Sequence, residues 1–190
     1  MDPEETSTSL KTIPHIHVDD SSTEMLTRGE EAVMTYVVDT RDEAEKVTAA
    51  VSGQFPIERV SEWMPQAYDE VYEVLTEQHI APTGPPFARY VMHDGEFEVE
   101  AGAPVASPIS VSGRVAPGSL PAGPVAVTTH VGPYDGIASA VDALKNWMSG
   151  HGVEPAGPHW EVYLTDPMEE ADPAKWRTEV VMPWRAKSPV

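Results

Sequence analysis

Ile80-Ala-Pro-Thr-Gly-Pro-Pro-Phe-Ala-Arg-Tyr90 and Val153-Glu-Pro-Ala-Gly-Pro-His-Trp-Glu-Val-Tyr163 align in a single register. Pro82 matches Pro155, Gly84-Pro85 matches Gly157-Pro158, Phe87 matches Trp160, and Tyr90 matches Tyr163. Self-similarity at one fixed offset is the mark of a repeated structural unit. Working outward, an amphipathic helical stretch precedes each copy. A strand follows each, ending near Glu100 or Glu179 and then Pro104 or Pro183. The chain therefore reads as an α+β fold of tandem, pseudo-twofold βαββ repeats with antiparallel sheets, the halves running over about residues 30–108 and 109–187. A unit of this kind covers one sheet face with its helix and leaves the other open, so a ligand cleft is expected at the seam.

The two helices carry the clearest periodicity. Met64, Ala67, Tyr68, Val71, Tyr72, Val74 and Leu75 fall along one helical face, and Pro65 suits a first turn. Tyr134, Ile137, Ala138, Val141, Leu144, Trp147 and Met148 mark the second, which Gly150 and Gly152 stop. Strands are expected at Ala32–Val38, Phe87–Met92, Glu96–Glu100, Trp160–Thr165 and Trp176–Met182, with Asp94-Gly95 as a tight turn. Val111–Val115 and Val125–Val131 read as an antiparallel pair, and Arg41–Val51 as a short helix. Residues 1–29 read as an acidic, flexible tail ahead of one domain over residues 30–187, with an edge strand at Ile13–Val18.

Composition narrows the function. The 190 residues carry 12 basic and 31 acidic side chains, a net charge of −19. Nucleic-acid binding draws its affinity from basic side chains on phosphates, so direct contact with DNA or RNA is not expected. The field would instead favour solubility or draw cationic and neutral ligands inward. There are no cysteines, which excludes disulfides, thiolate metal sites and a Cys nucleophile. No stretch is apolar enough for a membrane span and no signal peptide is evident, so the cytoplasm is the default location. No phosphate loop, Gly-x-Ser-x-Gly elbow or His-Glu-x-x-His occurs, which disfavours nucleotide, serine and zinc hydrolysis. His15 and His17 could chelate a metal, yet no third ligand follows at a clear spacing, so neither a metal nor a cofactor is expected.

Several ordered motifs then point to one family. His130-Val-Gly-Pro-Tyr-Asp135, Gly157-Pro-His-Trp-Glu-Val-Tyr-Leu-Thr-Asp-Pro167 and Trp176-Arg-Thr-Glu-Val-Val-Met-Pro183 resemble the GyrI-like small-molecule-binding family, whose domain also serves as the effector-binding module of multidrug-sensing transcription regulators. Gly84-Pro-Pro-Phe-Ala-Arg-Tyr90, Phe97-Glu-Val-Glu-Ala-Gly-Ala-Pro-Val105 and Leu120-Pro-Ala-Gly123 agree. The resemblance implies an aromatic-walled pocket with a buried carboxylate, Glu161 by motif position, that meets cationic or polar lipophilic ligands. It also implies that some relatives hydrolyse strained electrophilic rings, with a Tyr and the same Glu. Regulators of this family carry a helix-turn-helix domain ahead of the module, where this chain has its acidic segment. The expectation is a stand-alone binder, sensor or sequesterer.

The candidate residues follow. Glu161 stands between Trp160 and Val162, where a charge either faces solvent or meets a large desolvation cost. An inward carboxylate would have a raised pKa and favour a cationic or hydrogen-bond-donating ligand. Tyr134 could aim its hydroxyl into the cleft, as donor or as general acid–base partner of Glu161, or simply pack. Trp63, Tyr68, Tyr90, Trp160 and Tyr163 could wall a pocket by stacking and cation–π contact, or fill a core. His130 reads as a scaffold histidine or a ligand contact, and Trp147 and Trp176 as core or rim packing. The rival readings are a ring-opening hydrolase using Glu161 with Tyr134 or Tyr163, an acidic module binding a protein partner such as a topoisomerase, and, weakest, a haem binder through His17 or His130.

Overall fold

The computed structural model describes residues 35–93 and 96–188. The Ile13–Val18 strand, His15, His17 and the Asp94-Gly95 turn lie outside them. Among the described residues nine strands and two α-helices follow in the order β1 (Asp39–Glu43), β2 (Lys46–Phe55), α1 (Val60–Glu77), β3 (Phe87–His93), β4 (Glu96–Pro104), β5 (Ala116–Leu120), β6 (Gly123–Val131), α2 (Ile137–Gly150), β7 (Val153–Pro155), β8 (Trp160–Tyr163) and β9 (Arg177–Ala186). Every pairing is antiparallel, in the order β1-β6-β9-β8-β3-β4-β2-β5, with β7 added on β9. This is the expected α+β class.

The sheet is curled, and a two-residue connection shows why. β5 ends the strand order, while β6 lies six places away, next to the other end. In a flat sheet six steps would span roughly 29 Å. Only Pro121 and Ala122 join the two strands, and that link reaches about 11 Å at most. The sheet must bend until its ends approach. Leu120 of β5 and Val125 and Val127 of β6 then meet Ala50, Phe87, Trp160 and Val181 in a buried cluster on the concave face.

The helices cover the other face. Ala67, Val71, Val74 and Leu75 of α1 settle on Ala49, Val51, Ala101 and Ala103 of β2 and β4. The alanines let the helix approach closely, and each buried Val or Leu contributes about 1.5–3 kcal/mol. Ile137, Ala140, Val141, Leu144 and Met148 of α2 pack on Ala126, Val180 and Met182 of β6 and β9. No helix among the described residues is long and apolar enough to cross a membrane.

Four sequence expectations are corrected. Arg41–Val51 is not helical but runs through β1 and β2. Ala49 and Val51 face α1 while Ala50 faces the concave cluster, so the segment is buried on both sides and shows no period of two. Residues 35–38 are not a strand, and the first strand is the charged Asp39–Glu43, held on β6 at the sheet edge by the bidentate Arg41–Glu179 pair. Residues 111–115 form only a turn with a Ser112–Val115 bridge, and the strand beyond it, β5, pairs with β2 rather than β6. Pro117 is tolerated there because β5 is an edge. Helix α1 begins at Val60, a turn early, which leaves Pro65 in its interior.

Candidate functional site

Period-two alternation along β8 decides what faces the helices. Trp160 is buried in the concave cluster, so Glu161 projects to the opposite face, and His159 and Tyr163 project with it. Ala88 of β3 lies directly across from Glu161, and Val180 of β9 flanks it on the other side. Because α1 packs on β2 and β4, and α2 on β6, β7 and β9, strands β3 and β8 form the floor between the two helices.

Aromatic side chains close over that floor. Tyr68, from α1, donates its hydroxyl to the Phe87 carbonyl at 2.9 Å and meets Tyr163 edge-on at 6.4 Å. From the other side Tyr134 meets Tyr163 edge-on at 5.5 Å and leans on Trp176 at 4.8 Å. Tyr90 stacks on His159 at 5.9 Å. Tyr134 sits in a single 3-10 turn, Tyr134–Gly136, and is 39% exposed, so it stands on the solvent side of the enclosure.

Beneath these rings Glu161 is 8% exposed. Burial pushes its carboxyl up to about 7, against the opposing effect of the Tyr163 and Tyr90 hydroxyls. Tyr163 donates to Glu161 Oε2 at 2.8 Å, which uses its one hydroxyl hydrogen. The 3.1 Å contact between the Tyr90 and Tyr163 hydroxyls is then donated by Tyr90, giving a two-step relay onto the carboxylate. His159 Nε2 lies 4.0 Å from Glu161 Oε1, but burial holds its pKa down to about 4, so it is neutral at pH 7. Among the described residues no Lys or Arg pairs with Glu161. The tyrosine hydroxyls around it are all pushed up, chiefly by burial, and for Tyr68, Tyr90, Tyr134 and Tyr163 the nearby Glu161 charge adds to this. They act as neutral donors.

The small-molecule-binding domain profile named GyrI-like matches residues 37–185, which spans both helices and the whole aromatic enclosure. The chain belongs to the GyrI-like family.

This GyrI-like domain shares its fold with the C-terminal domain of EcmrR, at a TM-score of 0.70 and 20% identity over 81% of this chain and 100% of that one. It likewise matches EcmrR in its complex with DNA, at 0.71 and 22% identity over 83% of this chain. The matched part spans 60% of that longer EcmrR chain. SAV2435, solved bound to tetraphenylphosphonium, aligns at 0.58 and 12% identity over 80% of this chain and 94% of its own. At these identities the likeness is one of fold. No curated protein sequence matches the chain.

Within the GyrI-like domain the sequence candidates separate. Glu161, Tyr163, Tyr90, Tyr68 and Tyr134 come together. Trp160 does not join them, because alternation sends it to the concave face. Trp63 packs against Phe55 at 5.0 Å and lines a separate recess of about 170 Å³ with Gln54, Arg59 and Gln66. His130 is buried with both ring nitrogens engaged: Nε2 donates to the Pro133 carbonyl at 2.9 Å, which leaves Nδ1 to accept from Tyr36 at 2.8 Å. That arrangement fixes the turn presenting Tyr134. His159 and Trp176 join the cluster although neither was a sequence candidate for it. The spacing of His159, Glu161 and Tyr163 along one strand was the available signal for the first. Among the described residues no group of three or more His, Asp or Glu is placed to hold a metal ion.

Proposed function

We propose that this GyrI-like domain binds lipophilic organic cations between α1 and α2, as a sensor or sequesterer, with Glu161 as the polar anchor. The observation that carries the reading is a buried carboxyl, ringed by tyrosines, with no cationic side chain paired to it among the described residues. Such a group is poorly solvated when ionised, and a ligand cation supplies the missing charge. Tyr68, Tyr90, Tyr134 and Tyr163 offer ring faces for the cation and apolar surface for its substituents. Asp166 adds to the pull, since its charge raises the Tyr134 and Tyr72 hydroxyls and so acts near the exposed side of the enclosure. The overall charge of −19 works in the same direction.

The rings that cover Glu161 must part to admit a ligand, and Tyr134, half exposed in its short turn, is the ring best placed to swing. Tetraphenylphosphonium is the probe suggested by the SAV2435 complex. Calorimetric titration of the wild type and Glu161→Gln tests the reading. Saturable binding that is lost in the variant is the expected result. Wild-type binding that survives the substitution would remove Glu161 as anchor, and no binding would sink the reading. The hydrolase alternative would show as turnover of a strained electrophile that Glu161→Gln abolishes.

A further inference from the structure

Thr178 lies on β9 beneath the aromatic enclosure. Its cross-strand neighbours are Tyr163 on one side and His130 on the other, and Trp176 lies two residues before it, just ahead of the strand. The residue is fully buried, and its hydroxyl has no hydrogen-bond partner among the described residues. A threonine in a strand interior can be replaced by valine at nearly constant shape, so burial alone does not call for the hydroxyl. Both neighbouring polar groups are already committed. Tyr163 serves Glu161, while His130 is closed between Tyr36 and the Pro133 carbonyl. Tyr134 leans on Trp176, two residues before Thr178, meets Tyr163, its cross-strand neighbour, edge-on, and is itself 39% exposed.

We propose that the Thr178 hydroxyl is a second polar contact of the ligand, a donor to an oxygen acceptor near the cationic centre, uncovered when Tyr134 swings aside. The inference rests on the cation-binding reading above and adds a selectivity to it. Glu161 reads the charge, and Thr178 distinguishes ligands that carry an acceptor from isosteric ones that do not. An unmade hydrogen bond in the closed state also disfavours that state, which eases opening. The acceptor-bearing ligand satisfies the hydroxyl and gains relative to its hydrocarbon twin.

The test compares methoxymethyl-triphenylphosphonium with propyl-triphenylphosphonium, which differ by one ether oxygen in place of a methylene. Affinities are measured by calorimetry for wild type, Thr178→Val and Thr178→Ser, and the ratio within each protein cancels general effects on folding. The wild type should prefer the methoxymethyl probe by about fivefold to tenfold. Thr178→Ser should keep that preference and Thr178→Val should lose it, while the melting temperature of unliganded Thr178→Val rises by about 2–4 °C. A wild type that binds both probes equally, or a Thr178→Val that keeps the wild-type ratio, overturns the role of Thr178 and leaves Glu161 untouched. If neither probe binds the wild type, the cation-binding reading falls, and this one with it.

Discussion

Tyr163 donates its only hydroxyl hydrogen to Glu161, two residues back on the same strand, at 2.8 Å. Strand geometry makes the pair adjacent on one face, so the contact needs no loop to position it. The hydroxyl stabilises the ionised carboxylate that burial disfavours. Replacing Tyr163 by Phe should therefore move the Glu161 midpoint above about 7, read as the pH dependence of its carboxyl carbon resonance. An unchanged or lower midpoint would show that the bond does not act on the charged form.

Ligand affinity should follow the same group. A cation is expected to bind the ionised carboxylate, and with the free-site midpoint at about 7 the proton competes below it. Affinity for tetraphenylphosphonium should fall by close to tenfold per pH unit below about pH 6 and level off above pH 8. Calorimetry across pH 5–9 measures this, and a flat profile would speak against Glu161 as the anchor.

Stability should run the opposite way. The folded-state pKa of Glu161, about 7, lies above the ordinary 4.5, so the folded protein binds the proton more tightly than the unfolded chain. The associated stability is complete below about pH 4.5 and is lost as pH rises through 7, on the order of 3 kcal/mol in all. Gln has no such ionisation. Urea unfolding should show Glu161→Gln gaining on the wild type between pH 5 and pH 8.

His130 offers a test of the scaffold. Tyr36→Phe removes the donor to Nδ1 and leaves a buried acceptor unpaired, with no large change of shape. A loss of about 1–2 kcal/mol in chemical denaturation is expected. Loosening of the Tyr134 turn should accompany it, seen as faster amide exchange at Gly136, whose N–H donates to the Pro133 carbonyl.

Gly102 marks a close approach of β4 to the backbone of β2. A Cβ there would run into the Ala49 carbonyl oxygen and sit 2.9 Å from the Ala50 Cα, both on the paired strand β2. Backbone cannot step aside as a side-chain tip can, so Gly102→Ala should destabilise by about 3 kcal/mol. Thermal unfolding within a degree of wild type would contradict the close approach.

Much of this protein was settled by local chemistry. Both amphipathic faces are legible because a helix buried on one side repeats its apolar residues every three or four positions, as Val71, Val74 and Leu75 or Val141, Leu144 and Met148 do. The ordered motifs from Gly84 to Pro183 pointed to the family, and Glu161 stood out as a charge inside an apolar strand. The inward direction of Glu161 followed only once Trp160 was seen to claim the concave face, since alternation sets residues apart without saying which side is which. Strand β2 escaped notice because burial on both faces erases the period of two, and β1 because its charges are held by partners on β9 and β2, Glu179 for Arg41 and Lys46 for Glu43. The tyrosine relay, the neutral His159 and the unpaired Thr178 hydroxyl depend on side chains far apart in sequence meeting across a curled sheet. Tertiary packing decided those, because desolvation and hydrogen bonding depend on what surrounds a group in space and not on its neighbours in the chain.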